Sequence, residues 1–381
     1  MKKLLSFTLI FLAFLSCKRN DIIEFHPMDE RYPYHASEIQ SVHFAKKILN
    51  DEDHYLFNTK SFNGAFNVQK IISTEMPFVD TDYLTFGSLS DRLLLLDRNN
   101  NSLHNFHLFD EKWSQIASQG RGPGEIMFSS DITNKDNLIY IASKNLVISI
   151  FECEKSEDCF YSSSIQLDKI QSSSVTVNED GFFVMGQSSN LFNGNEIDEK
   201  DLNSIYKVDI NGNVKESFGE IYDINKHWML LTPFGEGKIR STKRNGLIQY
   251  YDLIPEIYFL EGQKVNKKIV INDFLLSKRK YNNRTQELFI NFEDWSSIED
   301  IKVINDDLAI LIIKNRRNRT VNDMSVRWDK SKDVYGINLT NGQSNYLGSI
   351  DLDKENIWFT DDFLIQLKDQ EQLNIYTYKL R

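Results

Sequence analysis

A polar two-residue turn followed by an apolar run occurs six times in this chain, and no other feature restricts its fold so tightly. The turns are Asp91-Arg92 before "LLLLD", Asp136-Asn137 before "LIYIA", Asp180-Gly181 before "FFVMG", Asn245-Gly246 before "LIQYY", Asp306-Asp307 before "LAILII" and Asp361-Asp362 before "FLIQL". Asp-Gly and Asn-Gly favour tight hairpins because type I′ turns need positive φ at both central positions. The first residues of successive turns stand 45, 44, 65, 61 and 55 positions apart, so the repeat persists under loops of unequal length.

Each turn lies between two strands, and a second strand pair follows it. "SLHNFHLF" and "WSQIAS" come after the first apolar run, "SIYKVDI" and "VKESFGEIYD" after the third, "VYGINL" and "SNYLGSI" after the fifth. Four strands per unit in six units predict an all-β fold, a six-bladed β-propeller with four-stranded antiparallel blades. Uninterrupted apolar second strands fit sheets covered on both faces by neighbouring sheets. The last unit ends at Arg381 one strand short, while apolar material lies before the first turn, in residues 38–73. An N-terminal strand is therefore expected to close the ring, since an open sheet edge invites unwanted pairing. No Pro- or Ser-rich linker separates the units, so residues 37–381 read as one propeller domain.

"SQGRGPGEI" (118–126) concentrates three glycines and a proline where the outer strand of the first unit hands over to the inner strand of the second. Gly120, Gly122, Pro123, Gly124 and Glu125 resemble the Gly-x-Gly-Pro-Gly-Glu motif found at a blade crossover in the six-bladed propeller lipoproteins of Bacteroidetes. Those proteins are related in architecture to NHL and TolB-type propellers. The resemblance implies a fold and a surface or periplasmic address; that family has no single agreed activity. Glycine freedom and the fixed φ of Pro123 suit a crossover turn. Successive N–H groups beside Arg121 leave anion binding as the alternative. No P-loop Lys-Ser/Thr follows, and the glycine spacing is not that of a dinucleotide site.

The N-terminus gives the address. Met1-Lys2-Lys3, an apolar run from Leu4 to Leu15 and the small Ser16 read as an export signal over residues 1–16, too short to span a bilayer. Cys17 after Ser16 resembles a lipobox, with Phe14 where leucine usually stands. Cys17 is thus the expected lipidation site and membrane anchor, with 17–36 as a lipidated tether. Lys18 in place of an acidic residue points away from inner-membrane retention, so the expected location is the cell envelope, as an outer-membrane lipoprotein facing the periplasm or the surface. Formal charge is −11 for the whole chain and −13 once Lys2 and Lys3 leave with the signal, a poor match for nucleic acid. Cys153 and Cys159 then remain, flanking the polar turn "EKSED" in an exported protein, and a disulfide is expected between them.

Catalytic patterns are sparse. Six of the seven histidines precede residue 108, and His104 and His107 are three apart, on opposite faces of a strand. "DRNNNS" (97–102) and "DINGNV" (209–214) lack the Gly and Glu positions of a calcium loop and read as turns. No Ser or Cys nucleophile elbow occurs. No cofactor is expected, with calcium bound in the central channel left open as an alternative. Basic clusters at 277–284 and 314–319 and the tryptophans Trp228, Trp295 and Trp328 fall in what read as long loops.

All the long insertions join second to third strands or cross between blades, which antiparallel order puts at one end of the ring. Binding residues concentrate on loops carried by a rigid scaffold. The expected partner-binding face therefore comprises Arg121, Glu125, Trp228, Arg279, Trp295, Arg316 and Arg317. The function expected is a lipid-anchored, non-catalytic binding module for an envelope protein or glycan. The alternative is a metal-dependent hydrolase or lyase using the channel.

Overall fold

The computed structural model describes residues 22–25, 38–42 and 66–380, apart from 77–82, 155–157, 191–197, 199–200, 202, 221–235, 245, 272–273, 275–277, 283–286, 292–294, 322–324, 341–343, 354 and 369–371. Six four-stranded antiparallel blades follow one another in a ring. Blade 1 comprises Leu84–Leu89, Arg92–Asp97, Ser102–His107 and Lys112–Ala117; blade 2, Ser129–Lys135, Leu138–Ser143, Val147–Cys153 and Cys159–Gln166. Blade 3 comprises Ile170–Asn178, Gly181–Ser188, Asn203–Val208 and Val214–Glu220; blade 4, Gly237–Ser241, Leu247–Tyr251, Glu256–Glu261 and Lys264–Ile271. Blade 5 comprises Trp295–Val303, Leu308–Val321, Ser325–Asn338 and Ser344–Asp351; blade 6, Glu355–Phe359, Phe363–Lys368, Gln372–Leu380 and, from the other end of the chain, Phe66–Glu75. The turns read from the sequence mark the passage from first to second strand, with Arg92 and Gly181 already opening the second strand and Asn245 outside the described residues.

The second strands explain why the apolar runs do not alternate. Leu93 and Leu95 pack toward blade 6 with Trp358, Phe363 and Ile365. Leu94 and Leu96 pack toward blade 2 with Ile139, Ile141 and Phe151. All four leucines are wholly buried, worth about 1.5–3 kcal/mol each. The same alternation puts one apolar cluster at every blade interface round the ring. A period of two that meets sheets on both sides leaves no polar positions.

Closure follows the expectation. Phe66–Glu75 pairs antiparallel with Gln372–Leu380, from Leu380 opposite Phe66 to Gln372 opposite Glu75. The Ser73 hydroxyl donates to Asn374 Oδ1 across this seam at 2.9 Å. Two further N-terminal strands were not expected. Glu38–Val42 runs parallel to Lys264–Ile271 on the outside of blade 4. Ile22–Phe25, within the stretch read as a tether, pairs with Lys278–Asn282, which pairs in turn with Glu287–Asn291.

The crossover from blade 4 to blade 5 thus carries a three-stranded sheet rather than a loop. The 315–332 insertion is likewise a β-hairpin, continuing the second and third strands of blade 5 from Arg316 opposite Lys330 to Val321 opposite Ser325. Trp295 opens the inner strand of blade 5, and Trp328 stands opposite Asn318 in the hairpin, so neither lies in a loop. Polar residues on both strand faces gave these segments no readable alternation.

At the short-turn end, neighbouring blades are tied at all six interfaces. Arg92, read as a turn residue, opens its strand and is 1% exposed. Its guanidinium donates to Glu154 O of blade 2 at 2.9 Å and to Cys159 Sγ at 3.3 Å, and is paired with Asp91. Lys135–Glu179 joins blades 2 and 3, Gln263–Glu216 blades 3 and 4, and Arg244–Asp306 blades 4 and 5. Lys302–Asp361 joins blades 5 and 6, and the Ser88 hydroxyl reaches Asp362 across the last interface at 2.8 Å. The exposed ion pairs add about 0–1 kcal/mol each; the buried Arg92 and Ser88 contribute more because their groups would otherwise be buried without partners.

Candidate functional site at the channel mouth

The first strands carry charged side chains inward, and these meet in the channel. Arg240 of blade 4 donates to Asp131 of blade 2 (Nη1–Oδ2 2.7 Å) and to Asp300 of blade 5 (Nη2–Oδ1 3.0 Å). The Ser174 hydroxyl of blade 3 and the Tyr250 hydroxyl complete the cluster by donating to Asp131 and Asp300. Burial disfavours the Arg240 charge, but the two carboxylates outweigh it and hold the guanidinium charged well above its ordinary range. Burial raises Asp300 too, yet Arg240 and Lys238 keep it below the usual carboxylate range. Tyr250 is pushed well above the ordinary phenol range by burial and then by Asp300.

A second cluster lies where second strands end and blade 4 begins. Glu236 accepts from Arg98 of blade 1 at 3.1 Å and from Lys144 of blade 2 at 2.5 Å, and these cations overcome burial to lower its pKa. Arg98 also donates to Ser130 O. Lys332 of blade 5 donates to Glu299 Oε1 at 2.6 Å and sits 4.7 Å from the Trp358 ring centre.

Between blades 4, 5, 6 and 1 a cavity of about 160 Å³ opens, lined by Arg98, Lys238, Arg240, Asp252, Glu299 and Asp300 opposite Phe86, Trp358 and Phe359, with Tyr83 48% exposed. Asp252 differs from the other carboxylates of this mouth. Its buried Oδ1 has no hydrogen-bond partner among the described residues. Burial pushes it up to about 7, with Lys238 and Arg98 opposing and Glu236 adding.

The expected residues distribute unevenly. Cys17 and Trp228 lie outside the described residues. Cys153 and Cys159 stand directly opposite each other with their sulfurs at disulfide distance. Arg121 is exposed on the 118–126 loop. Glu125 turns its carboxylate back onto that loop, accepting the Gly122 N–H at 2.6 Å. The loop is closed further by Gly120 N–H to Ile126 O and Ile126 N–H to Ser118 O. A Cβ on Gly120 would push aside the exposed Glu125 carboxylate, whereas Gly124 takes φ 81°, where any side chain is strained, so Gly124 is the glycine the turn requires. The anion in this cradle is the loop's own Glu125.

Arg316 and Trp295 come together, the guanidinium 5.0 Å from the ring centre. Arg279 and Arg317 stand on strands, opposite Phe25 and Asp329. Asp97 and Asp209 cap their own turns, accepting from Asn99 and Asn100 and from Asn211 and Asn213. Among the described residues no three His, Cys, Asp or Glu side chains are grouped to hold a metal. The channel cluster escaped the sequence reading, although charges within otherwise uncharged or apolar stretches of inner strands ("SSDIT", "KIRS", "SSIEDIKV") were its visible signal.

No family model and no curated protein matches the chain. Its structure is similar to that of a candidate exported protein of Bacteroides fragilis, with 13% identity, TM-score 0.54, 90% of this chain and 99% of that chain covered. It also matches virginiamycin B lyase from Staphylococcus aureus at 10% identity and TM-score 0.41, covering 82% and 99%. The WD40 β-propeller domain of Doa1 aligns at 11% identity and TM-score 0.39, covering 81% and 97%. At 13% identity the likeness to the exported protein is one of fold alone.

Proposed function

We propose that the chain is a lipid-anchored propeller of the bacterial cell envelope, held at the outer membrane through Cys17, that binds a protein or glycan partner and catalyses nothing. The observation that carries the reading is the inequality of the two ends. One end is short turns tied blade to blade, while the other bears the hairpin, the three-stranded sheet, the 118–126 loop and the channel mouth. Elaboration of one end has no use in folding and fits recognition. The hydrolase or lyase alternative needs channel carboxylates open to a metal. Here Asp131 and Asp300 hold Arg240, Glu236 holds Arg98 and Lys144, and Glu299 holds Lys332. The fold's likeness to an exported protein agrees with the address read from residues 1–17.

Crosslinking in intact cells followed by capture of the chain tests the binding. Arg121→Glu together with Trp295→Ala is expected to lose the crosslinked partner, and Phe109→Ser, at a short-turn tip, to keep it. The reverse pattern refutes the assignment of the face. Cys17→Ala is expected to move the protein to the soluble fraction; unchanged sedimentation with membranes removes the anchor.

A further inference from the structure

We infer that the channel cavity between blades 4, 5, 6 and 1 is a binding site for one neutral sugar residue. The inference goes beyond the reading of the outer loops and does not depend on it.

Two carboxylate oxygens of this cavity lack donors. Asp252 Oδ1 and Glu299 Oε2 are both buried, and neither has a hydrogen-bond partner among the described residues. Asp252 follows the second strand of blade 4, where its N–H donates to Glu236 O and its O accepts from Ile298 N–H of blade 5. Glu299 is held by Lys332 through its other oxygen at 2.6 Å. The frame thus fixes both residues and leaves one acceptor of each unused. A buried acceptor without a donor costs about 1–3 kcal/mol, so a ligand that supplies two donors gains by meeting them. Lys238, whose charge acts on Asp252, donates among the described residues only to Glu299 O, at 2.6 Å. An ammonium carries three donors, so it has more to offer.

Charge argues against an ionic ligand. Four cations and three carboxylates line the cavity. Their ion pairs bring in two more of each sign, Lys144 and Lys332 with Asp131 and Glu236. A mouth so close to balance gives a free anion or cation little advantage. Hydroxyls meet the need instead, because each one both donates and accepts. They supply donors to Asp252 and Glu299 and acceptors to Lys238.

The walls are of two kinds. Blades 4 and 5 supply these polar groups, whereas blades 1 and 6 supply Phe86, Trp358 and Phe359, with Tyr83 half exposed beside them. Phe86 and Trp358 meet with 4.8 Å between ring centres, so this wall is fixed by its own packing. A pyranose divides in the same way, with C–H groups on a face that packs on aromatic rings and hydroxyls round its edge. Size sets the limit. The cavity of about 160 Å³ is close to the roughly 150 Å³ that takes one benzene ring, so one sugar ring enters and a second stays outside.

Isothermal titration of the purified full chain tests the site with glucose, galactose, mannose and N-acetylglucosamine, each also as its methyl glycoside. Saturable binding of at least one is expected. Glucuronate and glucosamine, one anionic and one cationic, are expected to bind about tenfold more weakly than the best neutral sugar. Asp252→Asn is expected to weaken that sugar about tenfold while stabilising the fold, so its loss is not one of folding. Lys238→Met is expected to weaken it by about the same factor, and Tyr83→Ala by about threefold. Arg121→Glu, on the outer loop, is expected to change nothing. A methyl glycoside that binds as well as its free sugar supports the end of a glycan as the source, and one that fails supports a free sugar. The inference is overturned if no neutral sugar saturates at millimolar concentration, if glucuronate or glucosamine binds more tightly, or if Asp252→Asn binds like the parent. Failure here with the crosslinked partner still captured leaves the outer-face reading standing. Loss of that capture with sugar binding intact removes the outer-face reading alone.

Discussion

The two ends of this ring are made by the same six repeats and serve different purposes. At the short-turn end each blade is tied to the next, and Arg92 and Ser88 are buried in doing so. At the other end the ties run through the channel instead, Arg240 joining blades 2, 4 and 5 and Glu236 joining blades 1, 2 and 4. That arrangement holds the mouth together from inside and leaves the outer loops free to vary. The blade-to-blade ties and the long insertions are thereby separated in space.

The largest expected effect breaks the internal tie. Arg240→Ala leaves the wholly buried Asp131 and its partner Asp300 without their cation and is expected to cost about 4 kcal/mol. Urea unfolding measures it; a loss below about 1 kcal/mol would mean that the short-turn ties alone hold the ring. Cys153→Ser acts on the tied end. The bridge spans a sequence separation of 6, and losing so short a loop is expected to cost about 2 kcal/mol. An unchanged midpoint with and without reductant would contradict the bridge.

Asp252 sharpens the contrast by pH. Its folded pKa of about 7 stands above the ordinary 3.8, so the folded chain holds the proton more tightly than the unfolded one. Its contribution is complete below pH 3.8 and is lost as pH rises to about 7. Asp252→Asn is expected to remove that slope and to stabilise the protein at neutral pH by at most about 4 kcal/mol. Parallel slopes in the two proteins, followed by unfolding from acid to neutral pH, would place the titration elsewhere. The smallest effect belongs to Glu125→Ala, on an exposed loop. Stability should move by about 0.5 kcal/mol or less, while exchange of the Gly122 amide hydrogen should quicken because its acceptor has gone. Unaltered exchange at Gly122 would show that the loop does not depend on that carboxylate.

What could be read in advance follows from locality. The six turns are local, and so is the apolar run after each, which is why the blade boundaries emerged from residues 91, 136, 180, 245, 306 and 361. The missing last strand was also visible, since the last of six four-strand units stops at Arg381 one strand short. Arg240, Asp131 and Asp300 were not, because a contact between residues 109 and 60 positions apart leaves no spacing to recognise. Arg92 misled in the opposite sense: beside Asp91 it looked like a solvated turn, and only the neighbouring blade explains its burial. The sheet formed by Ile22–Phe25 and Lys278–Asn282 was hidden because its strands lie more than 250 residues apart in sequence.

The seam between Phe66–Glu75 and Gln372–Leu380 has a consequence in time. A growing or translocating chain presents the first half of that seam early and the second half last. Blade 6 therefore stays an open, two-stranded edge until Gln372–Leu380 has emerged, and pairing over some 300 residues is among the slowest steps a domain can contain. Throughout that interval the waiting strand is available to any other chain in the same state.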